Sequence, residues 1–497
     1  MNFKIPSEIL HIAEKLQKAN FQAYLVGGCV RDILIAAQEG EPRQGREREP
    51  KDWDIATDAK PEETQKIFPD SVYENKFGTV GIKTGSKKPM LEIVEITTYR
   101  LEGKYTDKRH PDEIKFAKTI EEDLSRRDFT VNAMAIDLKE KDKIIDPFAG
   151  QADFSQKTIR TVGKPEQRFA EDGLRLMRAV RFATELDFKI ENKTAEAIKE
   201  HAGLLEIIAK ERIRDELEKI IMLASAARGI ELLEELGLLK YVMPELREGV
   251  GVGQNKHHIY TVFEHSLRSL DYAAKNNYSL EIRLAALFHD IGKPKTKKGD
   301  GLDSTFYNHE VVSAKMTARI LDRLHFSKNL IEKVVHLVRY HLFYYNVGEV
   351  TAAGVRRFLS RVGPENVDDF IKLRQADRIG SGVPKAVPYK IRHLLFMIEK
   401  VKQDPISPKM LRVTGNDVMK ILNIPPSPKV GQILAILLDE IIEEPDRNTK
   451  ENLELRIENL GKLSGSELEK LAKNAKERKE EFESGIEGEI KKKYYVK

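Results

Sequence analysis

The change in hydrophobic periodicity near residue 150 constrains the fold of this chain more than any other feature. Before it, short apolar runs with two-residue alternation are separated by turns that contain glycine and proline, a pattern typical of strands. From Pro165 onward, apolar residues recur at helical spacing over long stretches and few strand-like runs remain. The sequence therefore predicts an α+β protein, with a small mixed β-sheet in an N-terminal head and an elongated all-α body behind it.

The length of the chain divides this architecture further. A chain of 497 residues accommodates three or four domains of ordinary size. Glycine and proline cluster near residue 150, in 249–253 and in 384–388, which marks these places as boundaries. We therefore expect a head, a helical neck, a second helical domain and a C-terminal helical tail, at residues 1–150, 151–250, 251–388 and 389–497.

The composition is that of a soluble globular protein, with 40% hydrophobic and 33% charged residues. No apolar run approaches the ~18 residues needed to span a bilayer. Residues 1–16 have the pattern of an amphipathic helix rather than of a secretory signal, so we expect a cytoplasmic protein without a membrane partner. The single cysteine, Cys29, excludes an internal disulfide framework and is expected to be a small buried hydrophobe.

Positive charge is concentrated locally. The formal net charge of +4 is weak evidence for a nucleic-acid partner in a chain of this length. Residues 157–181, however, contain seven basic side chains against three acidic ones, which makes the segment a candidate for binding anions. The basic residues are Lys157, Arg160, Lys164, Arg168, Arg175, Arg178 and Arg181, and the acidic ones are Glu166, Glu171 and Asp172.

Two aspartates form a candidate metal site. Asp52 and Asp54 flank Trp53 at the start of a predicted strand, and strand alternation places both carboxylates on one face. Two like charges so close are costly without a cation, and carboxylates with phosphate oxygens are the ligands that Mg²⁺ prefers. A pair of such ions stabilises the attacking and leaving oxygens in phosphoryl transfer. Taken alone, the pattern is more often a solvated strand edge.

Neighbouring segments could complete a phosphate-binding site. Residues 27–32 read GGCVRD at a strand-to-helix turn, where backbone N–H groups can hold phosphates and Arg31 adds charge. Alternation over residues 91–99 could place Glu95 beside the aspartate pair as a third carboxylate. The ordinary alternatives are a tight turn and an exposed strand glutamate.

Two further motifs give these features a common interpretation. Residues 126–135 read RRDFTVNAMA, and residues 171–182 read EDGLRLMRAVRF. With the GGCVRD turn and the Asp-x-Asp pair, in this order, the chain resembles the class II tRNA nucleotidyltransferase and bacterial poly(A) polymerase family over roughly residues 20–220. The resemblance implies a nucleotidyltransferase head in which Asp52 and Asp54 hold Mg²⁺. Glu95 stays a further catalytic candidate on strand alternation alone. It implies that the incoming nucleotide is held by Gly27, Gly28, Arg31, Arg127, Asp172, Arg175, Arg178 and Arg181.

Base selection has a physical basis in this resemblance. Asp172, Arg175 and Arg178 are spaced by three residues and are expected to share one helical face, although such spacing is also typical of a surface ion pair. A carboxylate accepts from an exocyclic amine while a guanidinium donates to the adjacent ring nitrogen. Cytosine and adenine offer this pattern, whereas guanine and uracil offer the reverse. One protein pair could therefore select CTP and ATP without a template.

Two segments bear on the exact reaction. The insertion at 38–51 departs from the family, which usually has a short link there, and leaves loop placement open. The resemblance also implies a flexible loop, for which residues 105–112 are the candidate, and an intact loop favours addition of the whole CCA end. Poly(A) polymerases and enzymes that add only CC or A remain the nearest alternatives.

A second constellation occupies the helical half. The order His265, His289-Asp290, His309, His341, Asp377, with HDIGK at 289–293, resembles the HD phosphohydrolase superfamily over about residues 255–380. Imidazole and carboxylate ligands on helices can converge to bind a divalent transition metal. The resemblance implies hydrolysis of phosphate esters by a metal-bound water, or a site kept for structure or RNA positioning. The histidines at 257, 258, 325 and 336 are assigned no role.

The function that these observations favour is addition of CCA to tRNA from CTP and ATP. The basic stretch and the helical body would recognise tRNA by shape and backbone contact. Residues 413–437 resemble the helical tail that follows HD domains in this family. An HD phosphohydrolase with a nucleotide-sensing head and a non-catalytic RNA-binding protein are the other hypotheses.

Overall fold

The computed structural model describes most of the chain, and a few segments lie outside it. The described residues are 3–39, 50, 52–73, 78–102, 114–140, 143–255, 259–343, 345–402 and 410–496. The predicted flexible loop at 105–112 and the histidines at 257 and 258 therefore lie outside the described residues, as does the insertion at 38–51 apart from residues 38, 39 and 50.

Two compact units make up the chain. One contains Met1–Leu342 and Lys372–Pro384, and the other contains Phe343–Ile371 and Lys385–Lys497. Both predicted constellations belong to the first unit.

The head at the start of the first unit combines helices and strands. Its helices are α1 (Ser7–Lys18), α2 (Gly28–Glu39), α3 (Pro61–Ile67), α4 (Pro89–Glu92), α5 (Ile120–Ser125) and α6 (Gly150–Ser155). Its strands are β1 (Tyr24–Val26), β2 (Asp54–Thr57), β3 (Val72–Tyr73), β4 (Thr79–Lys83), β5 (Ile93–Thr98), β6 (Arg100–Glu102), β7 (Ile114–Phe116), β8 (Ala135–Asp137) and β9 (Ile144–Ile145).

A mixed seven-stranded sheet organises the head, in the order β3-β4-β5-β2-β1-β8-β9, and this confirms the predicted small mixed sheet. Strands β2 and β5 run parallel, whereas β1 pairs antiparallel with β2 and with β8. The register pairs Asp54 with Val26 of β1 and with Glu95 of β5. The end of β1, which leads into the glycine turn, therefore lies directly beside Asp54.

One face of the sheet packs on a continuous apolar core. Ile9, Leu16, Leu25, Ile55 and Ile96 are among its fully buried side chains, and Trp53 is also part of it. Apolar side chains buried in this way contribute about 1.5–3 kcal/mol each. This packing fixes β1 and β2, and with them the turn and the aspartates at their ends.

Helices continue the first unit. They are α7 (Pro165–Glu171), α8 (Arg175–Leu186), α9 (Asn192–His201), α10 (Lys210–Met222), α11 (Ala226–Glu235), α12 (Leu239–Val242), α13 (Pro244–Arg247), α14 (Val262–Lys275), α15 (Leu280–Phe288), α16 (Lys293–Thr296), α17 (His309–Arg323) and α18 (Lys328–Tyr340). The short strands β10 (Thr158–Ile159) and β11 (Lys189–Ile190) form a parallel pair that the sequence patterns did not predict. The body is otherwise helical, as predicted, within the described ranges.

The second unit is helical in its described part. Its elements are α19 (Ala352–Val362), α20 (Val367–Gly380), α21 (Tyr389–Lys402), α22 (Gly415–Leu422), α23 (Pro428–Glu443), α24 (Lys450–Gly461) and α25 (Gly465–Tyr494), and α20 extends into the first unit. Leu437, Ile457 and Leu468 are buried in its core. Among the helices described here, none carries an apolar stretch that would cross a bilayer.

Candidate functional site

A cavity of about 770 Å³ in the first unit brings the four head motifs together. Its wall includes Gly27 and Gly28 from the turn, both aspartates of the Asp-x-Asp pair, Arg127, and the Asp172 region. The nucleotide-binding residues expected from the sequence, Gly27, Gly28, Arg31, Arg127, Asp172, Arg175, Arg178 and Arg181, all line this cavity.

The glycine turn forms one end of the cavity. Gly27 has a φ of 79°, a conformation that favours glycine, and α2 begins at the next residue. A Cβ at Gly27 would lie 2.9 Å from Nη1 of Arg127. Arg31, which is buried, donates from Nη1 to Oδ1 of Asn132 at 2.9 Å and pairs with Asp32 at 2.8 Å. The first turn of α2 and Arg31 thus present donors and positive charge to the same space.

The two aspartates lie beside the turn, and a Cβ at Gly27 would be 3.7 Å from Oδ2 of Asp54. Trp53 is only 5% exposed and belongs to the core, whereas Asp52 and Asp54 line the cavity, as strand alternation predicts. Burial raises the pKa of Asp54 above its usual value; Arg127 opposes this shift and Asp52 adds to it. Two neighbouring carboxylates, of which Asp54 is costly to ionise, fit a magnesium site in their donor chemistry.

Glu95 is placed beside this pair but points to a more open surface. It is the register partner of Asp54 on the parallel strand β5, and its side chain is exposed. Its role as a third catalytic carboxylate stays a prediction.

Asp172 occupies a different local structure from the one predicted. It follows α7 with φ −140° and ψ 107°, and α8 begins only at Arg175, so Asp172 does not share a helical face with Arg175 and Arg178. The helix cannot include it because its Oδ1 accepts from the backbone N–H of Leu174 at 3.0 Å, closing a tight link between the two helices.

The carboxylate of Asp172 is held instead by an arginine of the neck. Arg212, on the first turn of α10, donates from Nη1 to Oδ1 at 3.2 Å and from Nη2 to Oδ2 at 2.7 Å. Arg212 also lines the cavity. Sequence reasoning missed it, because it lies 40 residues after Asp172 in an ordinary amphipathic helix.

The arginines of α8 each contact an acidic side chain. Arg178 donates from Nε to Oδ2 of Asp128 at 2.7 Å, and Arg181 donates from Nε to Oε2 of Glu216 at 2.7 Å. Arg175 donates to the carboxylate of Glu171 and to the carbonyl of Arg168. These acids hold the arginines in the wall of the cavity.

Two buried carboxylates, Asp123 and Asp128, complete this arrangement. Asp123 accepts from Nε of Arg126 at 3.0 Å and from Nη2 of Arg127 at 3.4 Å. Burial opposes ionisation of Asp123, but the two arginines hold its pKa below the usual value. For Asp128, burial likewise opposes ionisation and Arg178 holds the pKa low. Asp128 belongs to a motif that the sequence analysis singled out, but only Arg127 of that motif was assigned a role.

The six residues of the second constellation converge elsewhere in the first unit. All six lie near the beginning or the end of a helix. His265 lies near the start of α14, which begins with a capping box at Thr261, and His289 directly follows α15. His309 is the first residue of α17, and His341 directly follows α18. Asp290 follows His289, and Asp377 lies in α20.

Asp290 stands between two groups of imidazoles. Its Oδ2 is 3.0 Å from Nε2 of His265 and 3.3 Å from Nε2 of His289, while its Oδ1 is 3.1 Å from Nε2 of His309 and 3.7 Å from Nε2 of His341. Each group, with Asp290, has ligand atoms close enough together to hold a metal ion.

The remaining contacts of this cluster fit metal ligands. Nε2 of His309 is buried and makes no hydrogen bond of acceptable geometry, although it lies 3.1 Å from Oδ1 of Asp290; buried polar atoms are rarely left in this state. Oδ1 of Asp377 is 3.5 Å from Nε2 of His265. Burial by itself disfavours the charged ring of His289, but Asp290 and Asp377 raise its pKa to about 10. Imidazoles with carboxylates are the donor set of a divalent transition metal.

A cavity of about 570 Å³ opens onto this cluster, and its wall is basic and aromatic. Lys293, Arg374 and Arg378 line it together with Phe306 and the largely exposed Tyr307. Nζ of Lys293 donates to Oδ2 of Asp290 at 2.7 Å and to Oε1 of Gln254 at 2.6 Å.

Comparisons with known proteins agree with the motifs and the fold. Three protein-family models match successive parts of the chain. They are the poly A polymerase head domain at residues 23–160, the probable RNA and SrmB-binding site of polymerase A at 187–249, and the HD domain at 262–375. These matches confirm the resemblances drawn from the head motifs and from HDIGK.

Whole-chain relatives extend these matches. The chain is 33% identical to a CCA-adding enzyme of Geobacillus sp. over 449 residues, covering 89% of this chain and 94% of the relative. It is 36% identical over 341 residues to an A-adding tRNA nucleotidyltransferase of Deinococcus radiodurans, covering 66% and 76% respectively. The crystal structure of the Bacillus stearothermophilus CCA-adding enzyme in complex with CTP superposes with a TM-score of 0.57 at 29% identity, over 92% of this chain and 98% of that one. The chain therefore belongs to the tRNA nucleotidyltransferase family that contains the CCA-adding enzymes.

Proposed function

We propose that this protein adds the 3′-terminal CCA to tRNA, using CTP and ATP and the cavity of the head. The observation that carries the proposal is that Asp52 and Asp54, the Gly27 turn and Asp172 line one space. A site for metal-bound phosphates and a group able to read a base edge are thereby within reach of one nucleotide. The proposal is supported by the CCA-adding relative that aligns with most of the chain.

Asp52 and Asp54 would hold magnesium, which supplies charge stabilisation at the attacking and leaving oxygens of phosphoryl transfer. The first turn of α2 would bind the triphosphate through backbone N–H groups, and Arg31 would donate to a phosphate oxygen. Because Asn132 and Asp32 already fix the guanidinium of Arg31, little side-chain freedom is lost on binding.

The carboxylate of Asp172 would accept from the exocyclic amine of cytosine or adenine. Arg175, which lines the same wall, would donate to the neighbouring ring nitrogen, and Arg212 would keep the carboxylate in place. Guanine and uracil would present a carbonyl oxygen to this carboxylate, so the hydrogen bond from the amine would be lost and two acceptors would face each other, at a cost of about 1–3 kcal/mol.

Incorporation assays test the proposal directly. The purified protein would be incubated with Mg²⁺ and each labelled nucleotide on three tRNA substrates, ending before the CCA, after one C and after both. We expect two C residues and then one A, and no product from the Asp52→Asn/Asp54→Asn variant. Addition of A alone would replace this proposal with the activity named for the Deinococcus relative, and long A tracts would replace it with poly(A) synthesis.

A second activity is favoured by the second cavity. Six metal-ligand side chains lie beside Lys293, Arg374 and Arg378, so phosphate oxygens of an ester could be bound next to a metal-activated water. We therefore propose metal-dependent phosphate-ester hydrolysis at this site. The test measures phosphate release from p-nitrophenyl phosphate and from nucleoside monophosphates in the presence of Mn²⁺, Ni²⁺ or Co²⁺. Release by the wild type that Asp290→Asn abolishes would support the proposed hydrolysis. Equal release by the variant would reject it.

A further inference from the structure

Phe182 is a residue of the nucleotide cavity to which the sequence analysis assigned no role. It lies on α8, is only 5% exposed, and its side chain contributes to the cavity wall. The ring of Phe129 packs against it edge-on, with centroids 5.8 Å apart and an interplanar angle of 77°. The position of the ring is therefore set by packing from behind the wall.

Three guanidinium groups from two different helices surround this ring. The Cζ atom lies 4.0 Å from the ring centroid for Arg181, 5.2 Å for Arg178 and 5.5 Å for Arg31. All three distances are within the range in which a cation is attracted to the negative face of an aromatic ring. Arg178 is four residues before Phe182 and so occupies the neighbouring position on the helix surface, whereas Arg31 comes from α2.

Each of these arginines is also tied to its own acid. Arg31 pairs with Asp32, Arg178 with Asp128, and Arg181 with Glu216. The acids anchor the three side chains separately, but the ring is the group that all three share. Since three positive charges near one point repel each other, an uncharged surface that attracts each of them offsets part of this repulsion.

We infer that Phe182 is a positioning residue for nucleotide binding: its ring holds Arg31 of α2 and Arg178 and Arg181 of α8 in one arrangement. The affinity for a nucleotide then depends on the electron density of the ring and not only on its volume. The inference rests on the proposed function only in that CTP or ATP occupies this cavity.

The sharpest test varies the ring electronically at nearly constant size. Phe182 would be replaced in the full-length protein by phenylalanine carrying one, two and three ring fluorines, since fluorine withdraws electron density from the face. KM for CTP and ATP should rise stepwise with fluorination, reaching about tenfold for the trifluorinated ring, while kcat stays near that of the unmodified protein. Phe182→Leu, which keeps an apolar side chain without a π face, should match or exceed the trifluorinated protein.

The matched control is the same series at Phe154, which packs edge-to-face against Phe188. Its KM values should not change. If the series at position 182 were flat while Phe182→Leu alone raised KM, the ring would act by packing and the inference would be overturned; unchanged KM in every variant would overturn it as well.

Nucleotide binding measured by calorimetry separates this inference from the proposed function. A wild-type protein that incorporates neither C nor A would refute the proposed function. A graded loss of CTP and ATP affinity across the fluorinated series would still support the role of Phe182, and an ungraded one would reject it.

Discussion

Arg212 donates to both carboxylate oxygens of Asp172, at 3.2 and 2.7 Å, and thereby joins the neck helix α10 to the link between α7 and α8. Bidentate pairs of this kind fix orientation as well as distance. Because Asp172 is outside a helix, Arg212 and the backbone N–H of Leu174 together determine where its carboxylate points in the nucleotide cavity.

We expect Arg212→Met to lower kcat/KM for CTP and ATP by roughly tenfold to a hundredfold, the range for losing a hydrogen bond to a charged group. Discrimination against GTP and UTP should fall as well, because the carboxylate is no longer oriented toward an amine. Initial rates with each of the four nucleotides on a tRNA lacking its end measure both effects.

Arg228→Met is the control for removal of an arginine with acidic partners, since Arg228 pairs at the surface with Glu231 and Glu235. It should retain wild-type rates. If Arg212→Met kept its selectivity and lost only activity, Arg212 would contribute charge rather than orientation.

Gly27→Ala should reduce transferase activity by at least about tenfold. The alanine would carry a φ of 79°, and its Cβ would lie 2.9 Å from Nη1 of Arg127, so the guanidinium of Arg127 would have to shift from its position near Asp54. Single-turnover incorporation of C and A measures the loss.

Gly85→Ala separates displacement of Arg127 from backbone strain. Gly85 has a φ of 75° and open space around its Cβ position, so the variant carries the strain, on the order of 1 kcal/mol, without the collision. Comparable loss of activity in both variants would mean that backbone strain, not Arg127, explains the effect.

Local pattern was sufficient to predict much of the head. Alternation around Trp53 correctly separated its core side chain from the two aspartates, and the Gly27-Gly28 turn is followed by a helix as expected. These features depend on residues close in sequence and on one buried face. The four motifs predicted from sequence also meet in one cavity.

Features that depend on distant residues could not be predicted in this way. Helical spacing suggested a common face for Asp172, Arg175 and Arg178, but a side-chain bond from Asp172 to Leu174 closes a link instead of continuing a helix. The partner of Asp172 comes from α10, which no local pattern connects to it. In the basic stretch, Arg160 is engaged by Asp153 and Glu191, whereas Lys157 and Lys164 are exposed and remain the candidates for RNA contact.

The Asp128–Arg178 pair should make the head sensitive to acid. The pKa of Asp128 is lowered in the folded protein, so its ionised form stabilises the fold. This stabilisation is fully present above the pKa of an unfolded aspartate, near 3.9, and is lost as the pH falls through the lower pKa of the folded protein. Asp128→Asn should cost about 1.5–3 kcal/mol at pH 7, because it weakens the hydrogen bonds to the partly buried Arg178 and removes the charge that pairs with it. The variant should also lose less additional stability than the wild type below pH 4.

Urea unfolding followed by the fluorescence of Trp53, the single tryptophan of the chain, reports on the head. Glu200→Gln, at an exposed position, is the control and should follow the wild type at every pH. If Asp128→Asn and the wild type lost stability in parallel below pH 4, the pair would not be the source of the acid sensitivity.

The two carboxylate oxygens of Asp290 each face a different pair of imidazoles, which predicts that the second site binds two metal ions rather than one. The measurement uses the Asp52→Asn/Asp54→Asn variant, so that the transferase site does not contribute to the metal count. Metal analysis of this protein after loading with Mn²⁺ or Zn²⁺ should give roughly two equivalents per chain. His309→Gln with His341→Gln should remove one equivalent, and Asp290→Ala should remove both because it serves each group. His325→Gln, an exposed histidine paired with Glu211, should change nothing. One equivalent in the starting protein would show that the six side chains form a single-ion site. Two equivalents retained after the His309 and His341 changes would show that these two histidines do not hold a metal ion.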